Sequence, residues 1–152
     1  PLVGDLREPS GREALLRSVA GRSQTMRFDR ILVDAPCSGL GVLRRHPEAK
    51  WRKSSQQLER HHALQFEILK SAAQCLRPGG VLVYSTCSTE REETEDVVAQ
   101  FCRDDPGWVR ESVAPWLPPS ALSFVTAHGA LSTIGNTVGM DGFYAARLRK
   151  VS

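Results

Sequence analysis

Apolar, β-branched runs that alternate with amphipathic helical stretches predict an α/β fold built on a largely parallel sheet. Three observations carry the prediction. The runs Ile31-Leu32-Val33 and Val81-Leu82-Val83-Tyr84 each read as a buried strand. A long helical period separates them, and a second helix follows the later run. Both runs also end in a cysteine motif, Asp34-Ala35-Pro36-Cys37-Ser38-Gly39 and Ser85-Thr86-Cys87-Ser88. In an open α/β sheet, ligands and chemistry gather beyond the carboxyl ends of the parallel strands.

Taken in order, Leu2-Val3-Gly4-Asp5 is expected to close a strand. Ser10-Gly11-Arg12-Glu13 has capping-box spacing before Leu15, Leu16 and Val19, which places a short helix there. Residues 28–34 form a strand, and 38–53 form a long loop punctuated by Gly39, Gly41 and Pro47. A helix then spans 54–76. Ser54 and Gln57 have capping-box spacing, and Leu58, His62, Phe66, Leu69, Ala73 and Leu76 fall on one face. Arg77-Pro78-Gly79-Gly80 stops that helix, and 81–85 is the next buried strand. Thr89 with Glu92 has the spacing of another capping box, opening a helix through Arg103 with Val97, Val98 and Phe101 inward. Residues 108–113 read as a strand. The segment 114–140 is mostly loop, because of Pro115, Pro118, Pro119 and its glycines, with a strand at 130–134. Residues 143–148 close the chain as a strand. No helix separates the last two strands, so they are expected to pair as an antiparallel hairpin.

A chain of 152 residues suits one domain with a real core. Its 41% hydrophobic and 24% charged residues are ordinary for a soluble globular protein. Apolar stretches of only a few residues give no membrane span, and no signal peptide opens the chain. A cytoplasmic location is the expectation. The chain opens on Pro1 within an expected strand, so residues 1–152 are expected to be a piece of something longer.

The net charge of +3 permits a polyanionic partner without demanding one. Its distribution says more. Arg44, Arg45, Lys50, Arg52 and Lys53 crowd around Trp51, whereas 90–96 is almost wholly acidic. Basic residues with an aromatic suit phosphate contact and base stacking. A solvated Arg-rich loop is the plainer alternative.

The four cysteines show no CxxC spacing and no paired histidines at ligand distance, so no metal site is expected. Nothing marks the chain as secreted, so no disulfide framework is expected either. Cys75 and Cys102 sit on apolar helix faces and read as core. His61 and His62 point to different faces and need no functional role. Cys87 precedes a helix expected to start near Ser88, whose positive end would lower the thiol pKa while the acidic first turn would raise it. Cys37 lies in a turn whose approach is stiffened by Pro36 and whose tight backbone path is allowed by Gly39. Asp34 could hydrogen-bond a substrate amide or protonated ring nitrogen, or could be a buried carboxylate that caps the turn. Gly39-Leu40-Gly41 is not a dinucleotide fingerprint, since Arg44 stands where the third glycine belongs.

Four segments, 34–47, 76–80, 84–88 and 141–148, resemble in order the NOP/Sun family of RNA cytosine-5 methyltransferases. The basic loop and His46-Pro47 look most like the bacterial RsmB-type enzymes of small-subunit ribosomal RNA. The resemblance implies a Rossmann-like sheet that binds S-adenosylmethionine, with ribosomal RNA as partner, and involves neither membrane nor metal. It makes Cys87 the nucleophile that attacks carbon 6 of cytosine, and Cys37 the thiol that assists release of the methylated product. Asp34 would stabilise the activated base near the cofactor, and Asp5 would contact the cofactor adenine. Arg44, Arg45, Lys50, Arg52 and Lys53 would hold RNA. Covalent addition suits the chemistry, because cytosine carbon 5 is a poor nucleophile until a thiolate adds next door.

The family often shows Pro-Glu-Glu-Asn where Arg91-Glu92-Glu93-Thr94 stands here, with little expected effect. The glycine-rich cofactor turn and its acidic ribose partner would lie upstream of Pro1. Residues 1–152 are thus expected to be the carboxyl-terminal portion of one catalytic domain, its sheet incomplete in the amino-terminal half and inactive alone. Two rivals stand beside this reading. One is a DNA-type cytosine methylase, whose Pro-Cys thiol attacks and which needs no second thiol at Thr-Cys-Ser. The other is a non-enzymatic RNA-binding fragment. A thiol hydrolase lacks a histidine partner beyond His46.

Overall fold

The computed structural model describes residues 4–20, 27–43, 45, 54–135 and 139–151. Its regular elements are α1 (Pro9–Ala20), β1 (Phe28–Asp34), α2 (Ser55–Gln74), β2 (Leu76–Thr86), α3 (Glu95–Asp104), β3 (Trp108–Glu111), β4 (Leu131–Ser132) and β5 (Tyr144–Lys150). Short 3-10 turns occupy Leu40–Val42, Arg91–Glu93, Ala114–Trp116 and Pro119–Phe124.

The sheet order is β1-β2-β5-β3, with β4 also pairing β5. β1 and β2 run parallel, while β5 is antiparallel to β2, β3 and β4. The sheet is therefore mixed rather than largely parallel. The chain reverses once, by inserting β5 between β2 and β3. The expected hairpin is present as Leu131↔Ala145 and Ser132↔Tyr144, although it is only a two-residue contact.

One face of this sheet is the core. Register places Ile31, Leu82 and Leu148 on one row and Val33, Tyr84 and Ala146 on the next. α2 and α3 cover these rows with Phe66, Leu69, Val97, Val98 and Phe101, all buried. Phe101 meets Trp108 edge-on at 5.1 Å between ring centroids, which ties α3 to the far strand. Leu32 lies on the opposite face of the edge strand β1 and is 69% exposed.

The helix-start signals fare unevenly. Ser54 caps α2 as expected, its Oγ accepting from the Gln57 N–H at 3.2 Å. α1 instead begins at Pro9, so Ser10 sits inside the first turn. Proline's fixed φ suits the first helical position, which explains why it wins. The third helix begins at Glu95, and the Thr89–Glu92 capping box does not form. Thr89 Oγ1 donates to Glu90 instead, and residues 91–93 coil into a separate 3-10 turn. β2 starts earlier than expected, taking in Pro78 and both glycines. The register shift between Phe28 and Arg30 absorbs the irregularity, and Gly79 turns at φ +73°. Residues 1–3 of the expected first strand lie outside the described residues, and Gly4 and Asp5 lead into a turn. Among the described residues, no helix is long and apolar enough to cross a membrane.

Candidate active site

Parallel pairing of β1 and β2 puts Asp34 opposite Ser85, so the two cysteine loops leave the sheet at the same edge. The loops are then stitched together. The Ala35 N–H donates to the Ser85 carbonyl at 2.9 Å, and the Gly41 N–H to the Cys87 carbonyl at 2.8 Å. A third segment joins when the Gly142 N–H donates to the Gly41 carbonyl at 2.7 Å. The glycines that form no dinucleotide fingerprint serve this junction. Gly39 turns at φ +72°, and a Cβ on Gly41 would lie 1.9 Å from the Gly142 oxygen and 2.7 Å from that of Cys87.

The result is a pair of free thiols. Cys37 Sγ and Cys87 Sγ are 3.1 Å apart, both partly buried. Burial pushes the Cys87 thiol up to about 12, with the Cys37 contact and the Asp34 charge acting in the same direction. The expected helix start near Ser88 is corrected, and with it the helix end that was to lower this thiol. α3 starts only at Glu95, too far along the chain for its positive end to reach the sulfur. The other two thiols match the core reading. Cys75 is buried at the end of α2, Cys102 packs against the core from α3, and burial raises both.

A raised Cys87 predicts a distinctive reactivity. Carbamidomethylation at Cys87, followed by peptide mass spectrometry between pH 7 and 10, is expected to accelerate about tenfold per pH unit. Below its pKa the thiolate fraction climbs by that factor. Cys37→Ala and Asp34→Asn each remove an influence that raises the pKa, so both should speed labelling at neutral pH. A rate that levels off below pH 9 would contradict the arrangement.

Asp34 is exposed rather than buried, accepting a 3.1 Å bond from Ser85 Oγ at the lip of the thiol pair. Asp5 stands apart on the turn before α1. Its carboxylate accepts from the Arg7 backbone N–H and guanidinium, which hold it well below the usual carboxylate range, at about 2. An open cleft of about 570 Å³ runs from Gly4, Asp5 and Leu6 to Pro36, with Leu64 and Ile68 as apolar wall. It links the Asp5 turn to the Cys37 loop.

Of the five basic residues, Arg45 is described, pairing with Asp141 at 2.7 Å while its side chain stays 73% exposed. Arg44, Lys50, Arg52 and Lys53 lie outside the described residues.

The acidic stretch conceals what sequence reasoning missed. Glu93 is completely buried at the back of both cysteine loops. Its carboxylate accepts from the Ser38 N–H at 2.8 Å, Ser38 Oγ at 2.5 Å, Ser88 Oγ at 2.5 Å and Gln65 Nε2 at 3.3 Å. His61 Nδ1 lies 3.0 Å from the same group. His62 instead contacts the Glu92 carbonyl at 2.6 Å and Gln100 Oε1 at 2.7 Å. The adjacent histidines do point to different faces: His62 anchors the turn behind the site, whereas His61 Nδ1 lies near the Glu93 carboxylate without hydrogen-bond geometry. Glu95 too is partnered, by Arg110 and Tyr144.

A family model described as "16S rRNA methyltransferase RsmB/F" matches residues 11–149. The chain belongs to the RsmB/F methyltransferase family. A curated ribosomal RNA small subunit methyltransferase B from Thermus thermophilus is 42% identical over 126 residues, covering 83% of this chain and 30% of that protein. A small subunit methyltransferase F from Salmonella paratyphi A is 41% identical over 142 residues, covering 88% and 28%. The chain thus spans about 30% of the length of the curated relatives it matches. Among solved structures, NSun6 from Pyrococcus horikoshii, determined with SFG, superposes with a TM-score of 0.72 at 28% identity, covering 99% of this chain and 34% of that one. The NOP/Sun resemblance and the Rossmann-like fold class thus hold, with the RsmB/F branch shown by family match and relatives alike.

Proposed function

We propose that the protein carrying this chain methylates carbon 5 of cytosine in small-subunit ribosomal RNA, with S-adenosylmethionine as methyl donor and a cysteine–cytosine adduct as intermediate. One observation carries the reading. Two thiols held 3.1 Å apart at the carboxyl edge of parallel strands suit a reaction that needs one sulfur to attack and another to release. The names of the relatives support the RNA class over DNA, and substrate in the ribosome goes with a cytoplasmic location.

The Asp5–Pro36 cleft fits part of the cofactor. Its apolar wall of Leu6, Leu64 and Ile68 suits a flat ring, and Asp5 sits on its rim. Asp5 would hold the cofactor in this cleft and Asp34 would hold it at the thiol pair, and when bound it supplies an electrophilic methyl group. This chain's residues do the rest. The Cys87 sulfur adds to carbon 6 of the pyrimidine, which makes carbon 5 electron-rich enough to take the methyl. Asp34, exposed at the lip of the thiol pair, hydrogen-bonds the ring and favours the activated base. Cys37 then assists release: its sulfur takes the proton from carbon 5, the electron pair of that bond forms the carbon 5–carbon 6 double bond, the carbon 6–sulfur bond breaks, and Cys87 regains its electron pair. The high pKa of Cys87 makes it a good nucleophile once deprotonated and a poor leaving group, which gives the second thiol its purpose.

The basic loop would hold RNA phosphates beside this cleft through Arg44, Arg45, Lys50, Arg52 and Lys53. The test of the whole reading uses the full-length protein with unmodified small-subunit RNA and isotopically labelled S-adenosylmethionine. Nucleoside mass spectrometry is expected to find the label in 5-methylcytidine, and label in any other nucleoside would refute the reading. Replacing Arg44, Arg45 and Lys50 by Gln together should weaken RNA binding and shallow its salt dependence by roughly one unit of slope per lost phosphate contact at most. An unchanged slope would return the cluster to a solvated loop.

A further inference from the structure

We propose that Glu93 is a positioning residue that sets the spacing of the two thiols. Ser38 directly follows Cys37, and Ser88 directly follows Cys87. Both serine hydroxyls donate to the same oxygen, Glu93 Oε2, at 2.5 Å each, while the Ser38 N–H donates to Oε1 at 2.8 Å. One carboxylate therefore fixes the residue after each cysteine, and the 3.1 Å between the sulfurs follows from it.

Glu93 is itself held from behind. The Tyr84 hydroxyl donates to its carbonyl at 2.7 Å, tying the 3-10 turn to the central strand β2. Gln65 Nε2 spans Glu93 Oε1 at 3.3 Å and the Pro36 carbonyl at 2.9 Å, so α2 links the carboxylate to the approach of Cys37. The Glu90 N–H donates to Ser88 Oγ at 3.1 Å, which leaves that hydroxyl's own proton for Glu93. A carboxylate with no solvent exposure is costly unless its acceptors are filled, and an apolar side chain of similar volume would hold the fold as well. What the apolar side chain could not do is grip two separate loops by directional bonds. The consequence for turnover rests on the methyltransferase reading above, whereas the consequence for thiol spacing does not.

The test uses phenylarsine oxide on the full-length protein. Its arsenic exchanges oxygen for two thiol sulfurs and releases one water, with no change of oxidation state, so its affinity reports how well the pair is pre-set. The wild type is expected to take one equivalent at the Cys37–Cys87 pair, and Cys37→Ala to lose it. Glu93→Ala should weaken this bridging and lower kcat by about tenfold or more each, with KM for RNA and cofactor within about twofold, the pattern of lost positioning rather than lost binding. Glu93→Gln keeps one oxygen for both hydroxyls but sets its amide NH2 against the Ser38 N–H and Gln65 Nε2 donors, so it should recover part of both losses. The Ser38→Ala/Ser88→Ala double variant cuts both hydroxyl links with minimal change of volume, keeping only the Ser38 N–H bond, and serves where Glu93→Ala does not fold. Wild-type bridging and kcat in any folded variant lacking these links would overturn the proposal. Weakened bridging in a protein that methylates no RNA would sustain it and overturn the methyltransferase reading instead.

Discussion

Gly41→Ala is expected to destabilise the full-length protein by about 3 kcal/mol or more, the upper range for forcing extra volume into a packed site. The added methyl would collide with two carbonyl oxygens, those of Gly142 and Cys87, at 1.9 and 2.7 Å. Neither can swing aside as a side chain would, since both belong to backbone hydrogen-bonded to Gly41 itself. Gly39→Ala is the natural comparison. Its Cβ would meet only Val42 Cγ2 at 3.8 Å, so the cost is the left-handed backbone alone, about 1–2 kcal/mol. Urea unfolding of both variants at constant m-value measures the difference. Equal midpoints would mean that the junction of the three loops is looser than described here. Any Gly41→Ala protein that still folds should also lose methylation, because the collision pushes the Cys87 loop away from Cys37.

The second large effect separates the thiols. Cys87→Ala should lower methylation by more than about a thousandfold, as losing a nucleophile removes the reaction's covalent route. It should also abolish capture of RNA containing 5-fluorocytosine. Cys37→Ala should leave attack intact and stall release, so a denaturant-stable protein–RNA adduct accumulates on ordinary RNA. The sulfurs sit 3.1 Å apart, so geometry alone lets either reach a ring carbon, and the variants divide the roles. Adduct in Cys87→Ala and none in Cys37→Ala would exchange them and favour the DNA-type assignment.

Strong local signals were legible in the sequence. α2 carries its own cap in Ser54 and its own stripe in Phe66, Leu69 and Ala73, so its position follows from short-range physics. β1 spans Phe28–Asp34 as its apolar run predicts. The start of α3 was misread because Thr89 and Glu92 have capping spacing, yet tertiary contacts claim this stretch. Ser88 and Glu93 turn inward to each other, and the backbone coils as a 3-10 turn to allow it. The same event hid Glu93. In a run of acidic residues nothing local distinguishes the one that is buried, and its partners Ser38 and Gln65 lie 55 and 28 positions away. The thiol pair was half legible: each motif marked a strand end, but their contact needed the β1–β2 register. The high pKa of Cys87 was not legible, because it arises from burial and from Cys37, neither of which is near in sequence.

In the proposed reaction, Cys87 is the sulfur bonded to the pyrimidine. The most direct measurement traps the wild-type full-length protein on 5-fluorocytosine RNA in the presence of S-adenosylmethionine, digests the complex, and locates the cross-linked nucleotide by tandem mass spectrometry. A fluorinated, methylated pyrimidine is expected on the peptide bearing Cys87, with Cys37 unmodified. A nucleotide on Cys37, or no covalent complex from an enzyme that still methylates RNA, would contradict it.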